Sequence, residues 1–274
     1  MISFIITTKN NEKTLERLLQ SIKKQTYKDW EIIVVDNNST DKTKEIAKKF
    51  TEKVFNKGPE RSMQRNFGVQ KARGKYVVIL DSDMYLGINV AKDCLKTINN
   101  SEYKALVIPE KTVGNNWLAR VRRFEREMYE GDLKIEVARF FKREVFLEFG
   151  GYDINLTGPE DYDLHYRISK KYPIGRANEY LYHDESDFTL IKLLQKKFYY
   201  AKAGARYANK HPELVKIQGN LLFRKAYFKN WKKFVRFPFL GISFIFVRIL
   251  ETIIATAGFI SAVGIGGFIK TILR

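Results

Sequence analysis

The first third of the chain alternates mainly apolar runs with segments whose apolar residues recur at helical spacing. Residues 3–6, 30–35 and 76–80 are rich in Ile, Val and aromatic residues, which is typical of strands buried on both faces of a sheet. After the first run, apolar residues between Leu15 and Ile22 share one helical face. Because strand and helix alternate, the pattern predicts an α/β fold in which right-handed βα connections build a mostly parallel sheet flanked by helices.

The same periodicities continue beyond this region. They predict helices at residues 42–50, 60–72, 88–98 and 116–130, and short strands at residues 53–55 and 105–108. The helix at 116–130 carries aromatic and aliphatic residues on one face and charges on the other. We interpret its aromatic residues as core rather than as a platform for a sugar.

The carboxyl-terminal part of the chain has a different pattern. Residues 237–247 and 252–269 lack charge, and Arg248 and Glu251 interrupt the apolar stretch between them. As one helix, residues 237–269 would measure roughly 50 Å, which is longer than the hydrocarbon core of a bilayer. We therefore expect a broken element, either one tilted span or two short helices in the membrane interface, with Arg248 and Glu251 near enough to pair.

Charge narrows the class of partner. The chain has 274 residues, 45% hydrophobic and 29% charged, which excludes a disordered protein and allows one large domain or two small ones. A net charge of +18 favours nucleic acid, an anionic membrane or a phosphorylated substrate. Residues 224–236 mix basic and aromatic side chains just before the apolar stretch, which favours a membrane surface over nucleic acid.

Cysteine usage bears on the compartment. Cys94 is the single cysteine, so an intramolecular disulfide is excluded and a reducing environment fits. The apolar run at residues 2–6 is too short for the hydrophobic region of a signal peptide. We therefore expect the chain at the cell membrane, on its cytoplasmic face.

Candidate chemistry begins where the third apolar run ends, at Asp81-Ser82-Asp83. Two carboxylates two residues apart in extended chain can point to the same side, which suits Mg²⁺ or Mn²⁺. Ligands of parallel sheets bind beyond the carboxyl ends of the strands, where these residues stand. The alternative is that both carboxylates only hydrate a turn and cap the next helix.

Polar side chains also follow the other two runs. Thr7, Asp36 and Asn37 would stand at adjacent strand ends and offer hydrogen bonds to a nucleotide base and ribose. The alternative for residues 36–40 is a helix-capping turn, and both roles are compatible. Arg65 is suited to grip a diphosphate, whereas Arg61 is as well explained by a solvated helix face.

Together, these motifs resemble the family 2 glycosyltransferases of GT-A fold over roughly residues 1–200. The segments that carry the resemblance are residues 3–10 (Ser-Phe-Ile-Ile-Thr-Thr-Lys-Asn), 34–41 (Val-Val-Asp-Asn-Asn-Ser-Thr-Asp), Arg65-Asn66, Gly74-Lys75-Tyr76 and Asp81-Ser82-Asp83. The resemblance implies an inverting, metal-dependent transferase that uses a nucleoside diphosphate sugar. It places the donor site at Thr7, Lys9, Asp36, Asn37, Arg65, Asp81 and Ser82. Many relatives have a second carboxylate where this chain has Asn37, so UDP and GDP both stay open.

A second cluster lies at residues 149–167. Gly150 and Gly151 suit a tight turn, and residues 157–159 lead Glu160 and Asp161 into the first turn of a helix, where carboxylates are favoured. Capping alone would explain both acids. A further acid at Asp163 is explained by an ion pair with Arg167, one helical turn later. The pair resembles the Glu-Asp motif of these transferases, which implies that Asp161 is the general base for the acceptor hydroxyl.

His183 ends a short apolar strand and has two interpretations. It is either a structural residue or, as the resemblance implies for a histidine after a late strand, a third metal ligand with Asp81 and Asp83. The metal expected there is Mn²⁺ or Mg²⁺.

From these features we expect a GT-A catalytic domain at residues 1–210 and basic, aromatic interfacial helices with a membrane segment at residues 211–274. The expected function is transfer of a sugar from a UDP- or GDP-sugar to a lipid-linked or membrane-associated acceptor, with no nucleic acid partner. The alternatives are a membrane-tethered protein of this fold that binds nucleotide sugars without turnover, and a nucleic-acid-binding protein.

Overall fold

The computed structural model describes residues 1–214 and 224–272. By its internal contacts the chain divides into two units: unit 1 comprises Met1–Lys111, Val137–Ile154 and Glu160–Asp184, and unit 2 comprises Thr112–Glu136, Asn155–Pro159 and Glu185–Arg274. Unit 2 thus combines the helix near residue 120 with the carboxyl-terminal helices. The expected functional division at residue 210 stays a prediction.

Ten strands lie within the described residues. They are β1 Ile2–Thr8, β2 Trp30–Asp36, β3 Val54–Asn56, β4 Tyr76–Asp81, β5 Met84–Leu86, β6 Ala105–Val107, β7 Glu110–Val113, β8 Ala138–Lys142, β9 Ile174–Arg176 and β10 Leu181–Asp184. The first four include the apolar runs from which strands were predicted.

Twelve helices have both ends within the described residues. They are α1 Leu15–Lys23, α2 Thr43–Lys48, α3 Arg61–Lys71, α4 Val90–Asn99, α5 Trp117–Met128, α6 Arg143–Glu148, α7 Glu160–Ser169, α8 Leu190–Ala201, α9 Gly204–Lys210, α10 Lys225–Lys229, α11 Lys232–Arg236 and α12 Pro238–Ile272. The four helices predicted between residues 42 and 130 are present as α2 to α5, with ends within two residues of those expected.

Unit 1 is built on a seven-stranded sheet of order β3-β2-β1-β4-β8-β6-β9. The pairings among β1, β2, β3 and β4 are parallel, as is that of β6 with β9, whereas β8 runs antiparallel to β4 and β6. Helices cover both faces: Phe4 and Ile6 enter one apolar core and Ile5 the other, because successive strand residues point to opposite faces. The predicted mostly parallel α/β fold is confirmed.

Unit 2 is helical around its own apolar core. Phe124 of α5, Leu193 of α8, and Phe244 and Val247 of α12 meet there. By length and composition alone, Pro238–Thr271 could cross a membrane, since an 18-residue stretch of it has a mean hydropathy of 1.9. The expected break in this apolar stretch occurs at Gly264, whose backbone angles (φ 72°, ψ 169°) are not helical.

Candidate functional site

Strand register brings the polar strand ends of unit 1 together. In the parallel pairs, Thr8 of β1 lies beside Asp36 of β2, and Thr7 lies beside Asp81 of β4. Carboxyl ends of parallel strands meet at one edge of a sheet, which is where such folds bind ligands. The structure therefore places three of the sequence-predicted donor residues on neighbouring strands.

The loop after β2 has its own hydrogen bonds. The buried Asp36 carboxylate accepts hydrogen bonds from the backbone N–H and the hydroxyl of Ser39, the former at 2.7 Å, which closes the turn after β2. These bonds lie within the loop, and Lys42, the N-cap residue of α2, has no side-chain cap hydrogen bond. Asn37 Nδ2 donates to the Pro59 carbonyl at 2.6 Å. Lys9 is exposed, and Ser82 is buried.

Arg65 joins two carboxylates inside unit 1. Its Nη2 lies 2.7 Å from Asp81 Oδ1 and its Nη1 lies 3.1 Å from Glu160 Oε1. Arg65 and Glu160 are each 1% exposed. Arg61, one helical turn earlier, reaches Glu160 with Nη2 3.6 Å from Oε1. The guanidinium predicted to face a diphosphate is thus engaged by protein carboxylates, and its role toward a diphosphate stays a prediction.

The Gly-Gly turn contributes to the placement of Arg65. Gly150 and Gly151 have φ values of +71° and +69°, and a Cβ on Gly151 would come within 2.5 Å of Asn66 Oδ1. Asn66 donates to the Tyr152 carbonyl at 2.8 Å and accepts from its N–H at 2.9 Å. The Arg65 guanidinium then lies 5.2 Å from the centre of the Tyr152 ring.

Arg139 joins the charged cluster of Arg65, Asp81 and Glu160, and sequence reasoning did not identify it. It extends from the buried strand β8, with Nη1 3.5 Å from Asp81 Oδ2 and Nε 2.5 Å from Glu110 Oε1. The available signal was an arginine inside the apolar run Ala138-Arg139-Phe140-Phe141. Buried arginines are rarely tolerated without a partner, so this position pointed to an acidic neighbour.

The carboxylates of this cluster differ in their proton affinity. Burial of Asp81 opposes its ionisation, but the positive charges of Arg65 and Arg139 outweigh that effect and hold its pKa well below the usual range. At Asp161, burial and the neighbouring Glu160 charge raise the pKa above its ordinary value against the same arginines. Asp161 is therefore the better proton acceptor of the two.

Helix α7 presents its acids as expected. Glu160 and Asp161 occupy its first turn. Asp163 is fully buried and pairs with Arg167 one turn later, with 2.7 Å between Oδ2 and Nη2, which confirms the ion pair considered from the sequence. In the same helix, His165 Nδ1 accepts from the Ala138 N–H at 3.0 Å, a structural role.

Strand pairing brings His183 to the second aspartate of the Asp-Ser-Asp motif. β10 runs antiparallel to β5 with His183 opposite Met84, and the Asp184 N–H donates to the Asp83 carbonyl at 2.8 Å. His183 Nε2 lies 3.2 Å from Asp83 Oδ2. On its other side, Nδ1 lies 3.6 Å from Glu110 Oε2.

These side chains are the candidate ligands of a divalent cation. Among the described residues, no group of three or more His, Cys, Asp and Glu side chains is arranged to hold a metal. The Asp81 carboxylate is directed to Arg65 and Arg139. Asp83 and His183 offer one oxygen and one nitrogen close together, so a divalent cation bound there would take its other ligands from water and phosphate. The role of Asp81 as a ligand stays a prediction.

The known sequences that this chain resembles are glycosyltransferases. The family described as Glycosyl transferase family 2 matches residues 3–153. A glycosyltransferase of Methanocaldococcus jannaschii is 30% identical over 204 residues, which is 66% of this chain and 69% of the relative. A Campylobacter jejuni GalNAc(5)-diNAcBac-PP-undecaprenol beta-1,3-glucosyltransferase is 36% identical over 92 residues, 30% of this chain and 29% of the relative.

Staphylococcus aureus TarS, a poly(ribitol-phosphate) beta-N-acetylglucosaminyltransferase, is 34% identical over 122 residues, 40% of this chain. The match spans only 21% of the length of TarS. The structure of TarS residues 1–349 with UDP-GlcNAc covers 77% of this chain and 72% of its own, with TM-score 0.53 at 20% identity. The mannosyltransferase PcManGT from Pyrobaculum calidifontis, solved with GDP-Man and Mn²⁺, covers 97% and 75%, with TM-score 0.61 at 18% identity. These two structures share the fold.

Proposed function

The chain belongs to glycosyl transferase family 2, and from that premise we propose that it transfers a sugar from a UDP- or GDP-sugar to an acceptor hydroxyl with inversion at the anomeric carbon. The observation that carries the proposal is the cluster in unit 1, where Arg65 engages Asp81 and Glu160 while the pKa of Asp161 is raised. A carboxylate with a raised pKa is suited to general base catalysis.

The cluster favours a single displacement. Asp161 accepts the proton of the acceptor hydroxyl as that oxygen attacks the anomeric carbon, and the nucleoside diphosphate leaves from the opposite face. Arg65 holds Asp81 and Glu160 in ion pairs, and the positive charges beside Asp81 lower its pKa, so Asp81 is a weaker base than Asp161. One displacement at carbon inverts its configuration.

Asp83 and His183 are the residues that would hold a Mn²⁺ or Mg²⁺ ion, with Asp81 beside them. When bound, the cation would neutralise charge on the leaving diphosphate. The protein's own contribution is to keep the Asp83 carboxylate and the His183 imidazole adjacent through the pairing of β5 with β10.

Thr7, Lys9, Asp36, Asn37 and Ser82 are the proposed contacts to base, ribose and phosphate. Both UDP-GlcNAc and GDP-Man occur in solved structures of this fold, so the donor class is proposed as UDP- or GDP-linked. The proposed acceptor is lipid-linked or membrane-associated and is reached from the cytosolic face. Support comes from the apolar helix α12 and from a relative whose name includes an undecaprenol-linked substrate.

Release of nucleoside diphosphate from a panel of UDP- and GDP-sugars, with and without Mn²⁺, tests this proposal. A short-chain soluble acceptor serves for all reactions. We expect release with one donor class that depends on both acceptor and metal, and about 2.7 kcal/mol of ligand stabilisation at a donor concentration 100 times the dissociation constant. Ligand stabilisation without nucleotide release would instead support the binding protein without turnover. Tight, salt-sensitive oligonucleotide binding without donor binding would support the nucleic-acid alternative.

A further inference from the structure

Helix α12 has two unlike faces along its first part. Phe244 and Val247 are buried in the core of unit 2 with Phe124 of α5 and Leu193 of α8. A second set of large apolar side chains on α12 is exposed, at spacings of three and four residues: Phe239, Ile242, Phe246, Ile249 and Ile253. These five residues form one stripe, which we call the apolar stripe.

The buried face of α12 also carries charge. Arg248 is 3% exposed and Glu251 is fully buried, and the two pair with each other. Arg248 Nη1 lies 2.8 Å from Glu125 Oε1 of α5, and Lys197 Nζ of α8 lies 3.4 Å from Glu251 Oε1. This part of α12 is therefore held to two neighbouring helices by ion pairs as well as by apolar contacts.

The helices packed against α12 argue against a transmembrane orientation of its first part. Helix α5 exposes Arg120 and Glu127, and helix α8 exposes Lys192 and Lys196. If residues 239–253 crossed the hydrocarbon core, these charged side chains would have to enter it with them. The cost is at least about 2.5 kcal/mol for each Arg or Lys at the centre of a membrane.

Basic and aromatic residues surround the start of the apolar stripe. Helices α10 and α11 and the two residues between them expose four cationic side chains and two large aromatic ones immediately before α12: Lys225, Lys229, Lys232, Arg236, Phe228 and Trp231. Cationic residues beside Trp and Phe are typical of proteins that bind the headgroup region of anionic bilayers. The charge complements an anionic lipid surface rather than another copy of this basic chain.

We propose that unit 2 binds the surface of an anionic bilayer with α12 lying in the plane of the membrane, its apolar stripe inserted at the boundary between headgroups and acyl chains. The basic residues of α10 and α11 contact anionic lipid headgroups. This inference deepens the proposed function, because it names the surface by which the enzyme would approach a membrane-associated acceptor.

The first test is cosedimentation of the full chain with vesicles of phosphatidylcholine, with or without phosphatidylglycerol. We expect binding that requires phosphatidylglycerol and falls about tenfold or more in Ile242→Glu/Ile249→Glu, since each substitution removes an exposed apolar side chain from the inserted stripe. Ile88→Glu/Ile154→Glu is the matched control, because it makes the same charge change at two exposed isoleucines of unit 1 and should bind normally. Equal loss in both variants, or equal binding to both vesicles, would overturn the proposal.

Depth measurements separate an in-plane helix from a span. Cys94 is buried, so a fluorophore can be attached at cysteines replacing Phe239, Phe246 or Ile253, one at a time. An in-plane helix places all three labels at the same shallow depth, with stronger quenching by lipids brominated near the headgroup. A span separates the first and last labels by up to roughly 21 Å of depth. A graded depth profile would therefore contradict the in-plane arrangement.

Two further outcomes keep this inference separate from the proposed function. Nucleotide release with a soluble acceptor should be unchanged in Ile242→Glu/Ile249→Glu. If neither the unaltered chain nor any variant released nucleotide while the chain still bound vesicles, the proposed function would be wrong and the membrane proposal would stand. If the chain failed to bind vesicles, and the stripe substitutions instead dissociated a dimer in analytical ultracentrifugation, the stripe would be a protein interface and the membrane proposal would be wrong.

Discussion

Unit 1 and unit 2 each bury arginines against carboxylates, but they move the pKa of a central carboxyl in opposite directions. In unit 2, burial opposes ionisation of Glu125, yet Arg248 and Arg122 outweigh it and lower the pKa of Glu125 to about 2. In unit 1, burial and the adjacent Glu160 raise the pKa of Asp161 despite the nearby arginines.

The difference lies in which carboxylates the arginines contact, because Arg248 and Arg65 are each shared between two acids. Glu125 has the guanidinium of Arg248 2.8 Å from its own oxygen. In unit 1 the guanidinium of Arg65 is divided between Asp81 and Glu160, and Asp161 has a like charge as its neighbour in sequence. A carboxylate that contacts an arginine directly holds helices together, whereas one whose neighbouring acid takes the arginine keeps its affinity for a proton.

The largest expected effect separates the two carboxylates by function. Asp161→Asn keeps the shape of the side chain but cannot accept a proton, so transfer to a soluble acceptor should fall by roughly 10²- to 10⁴-fold while donor binding survives. Glu125→Gln should lower the melting temperature and leave the rate per folded molecule unchanged. Steady-state rates, donor affinity and thermal unfolding check both expectations.

Glu45→Gln is the control for these variants, because it makes the same carboxylate-to-amide change at an exposed residue of α2. Normal transfer by Asp161→Asn would contradict its role as base, and Glu160 or Asp163 would then be examined first. A loss of rate in Glu125→Gln equal to that in Asp161→Asn would remove the contrast between the units.

The next effect concerns stability. Arg248→Met leaves the buried Glu251 without a guanidinium partner and Glu125 with only the more distant Arg122, so the free energy of unfolding should fall by about 3–5 kcal/mol. Arg65→Met should cost a similar amount in unit 1 and also suppress transfer, since it leaves Asp81 only Arg139 and Glu160 only Arg61, both at longer distance. Denaturant unfolding and nucleotide release measure the two effects; equal residual activity in both variants would argue against a catalytic role for the Arg65 cluster.

Truncation before Phe237 would not test membrane binding as cleanly as point variants do. Phe244 and Val247 of α12 belong to the core of unit 2, so removing the helix would expose that core as well as delete any membrane contact. Loss of activity in the truncated chain would therefore not report on membrane binding alone.

Metal dependence gives a smaller and more specific effect. If Asp83 and His183 hold the cation, Asp83→Asn should greatly reduce transfer and weaken Mn²⁺-dependent nucleotide binding, with little change in the melting temperature of the free protein. His183→Ala should raise the Mn²⁺ concentration needed for half-maximal rate by roughly tenfold or more. A lower melting temperature at unchanged metal dependence would make His183 a structural residue.

The smallest expected effect is a shift in pH dependence. Protonated Asp161 cannot act as a base, so kcat/KM should fall as the pH drops through its pKa. Glu160→Gln removes the like charge that raises this pKa and leaves more of the Arg65 charge to act on Asp161. The acidic limb of kcat/KM should therefore move to lower pH, by about one unit or less. A limb that moves to higher pH would contradict the stated origin of the shift.

Much of the fold was open to prediction from the sequence alone. Strands β1, β2 and β4 and helices α2 to α5 follow from local spacing of apolar residues, because burial on two faces or on one helical face imposes that spacing directly. The family could be identified because its polar motifs follow the strands in a fixed order. The Asp163–Arg167 pair could be foreseen since one helical turn separates its members.

The partners of the charged residues were decided by tertiary structure. Arg139 meets Asp81 across 58 residues of sequence and Arg65 meets Glu160 across 95, distances at which no local period relates one side chain to another. The same holds for Arg248, which the sequence paired with Glu251 but which also meets Glu125 of α5. Strand order and helix packing bring these charges into contact, and the pKa of each carboxyl depends on the sum of its neighbours' charges. The sequence by itself therefore determined which acids stand at the strand ends, and only the folded chain decided which of them is left to take a proton.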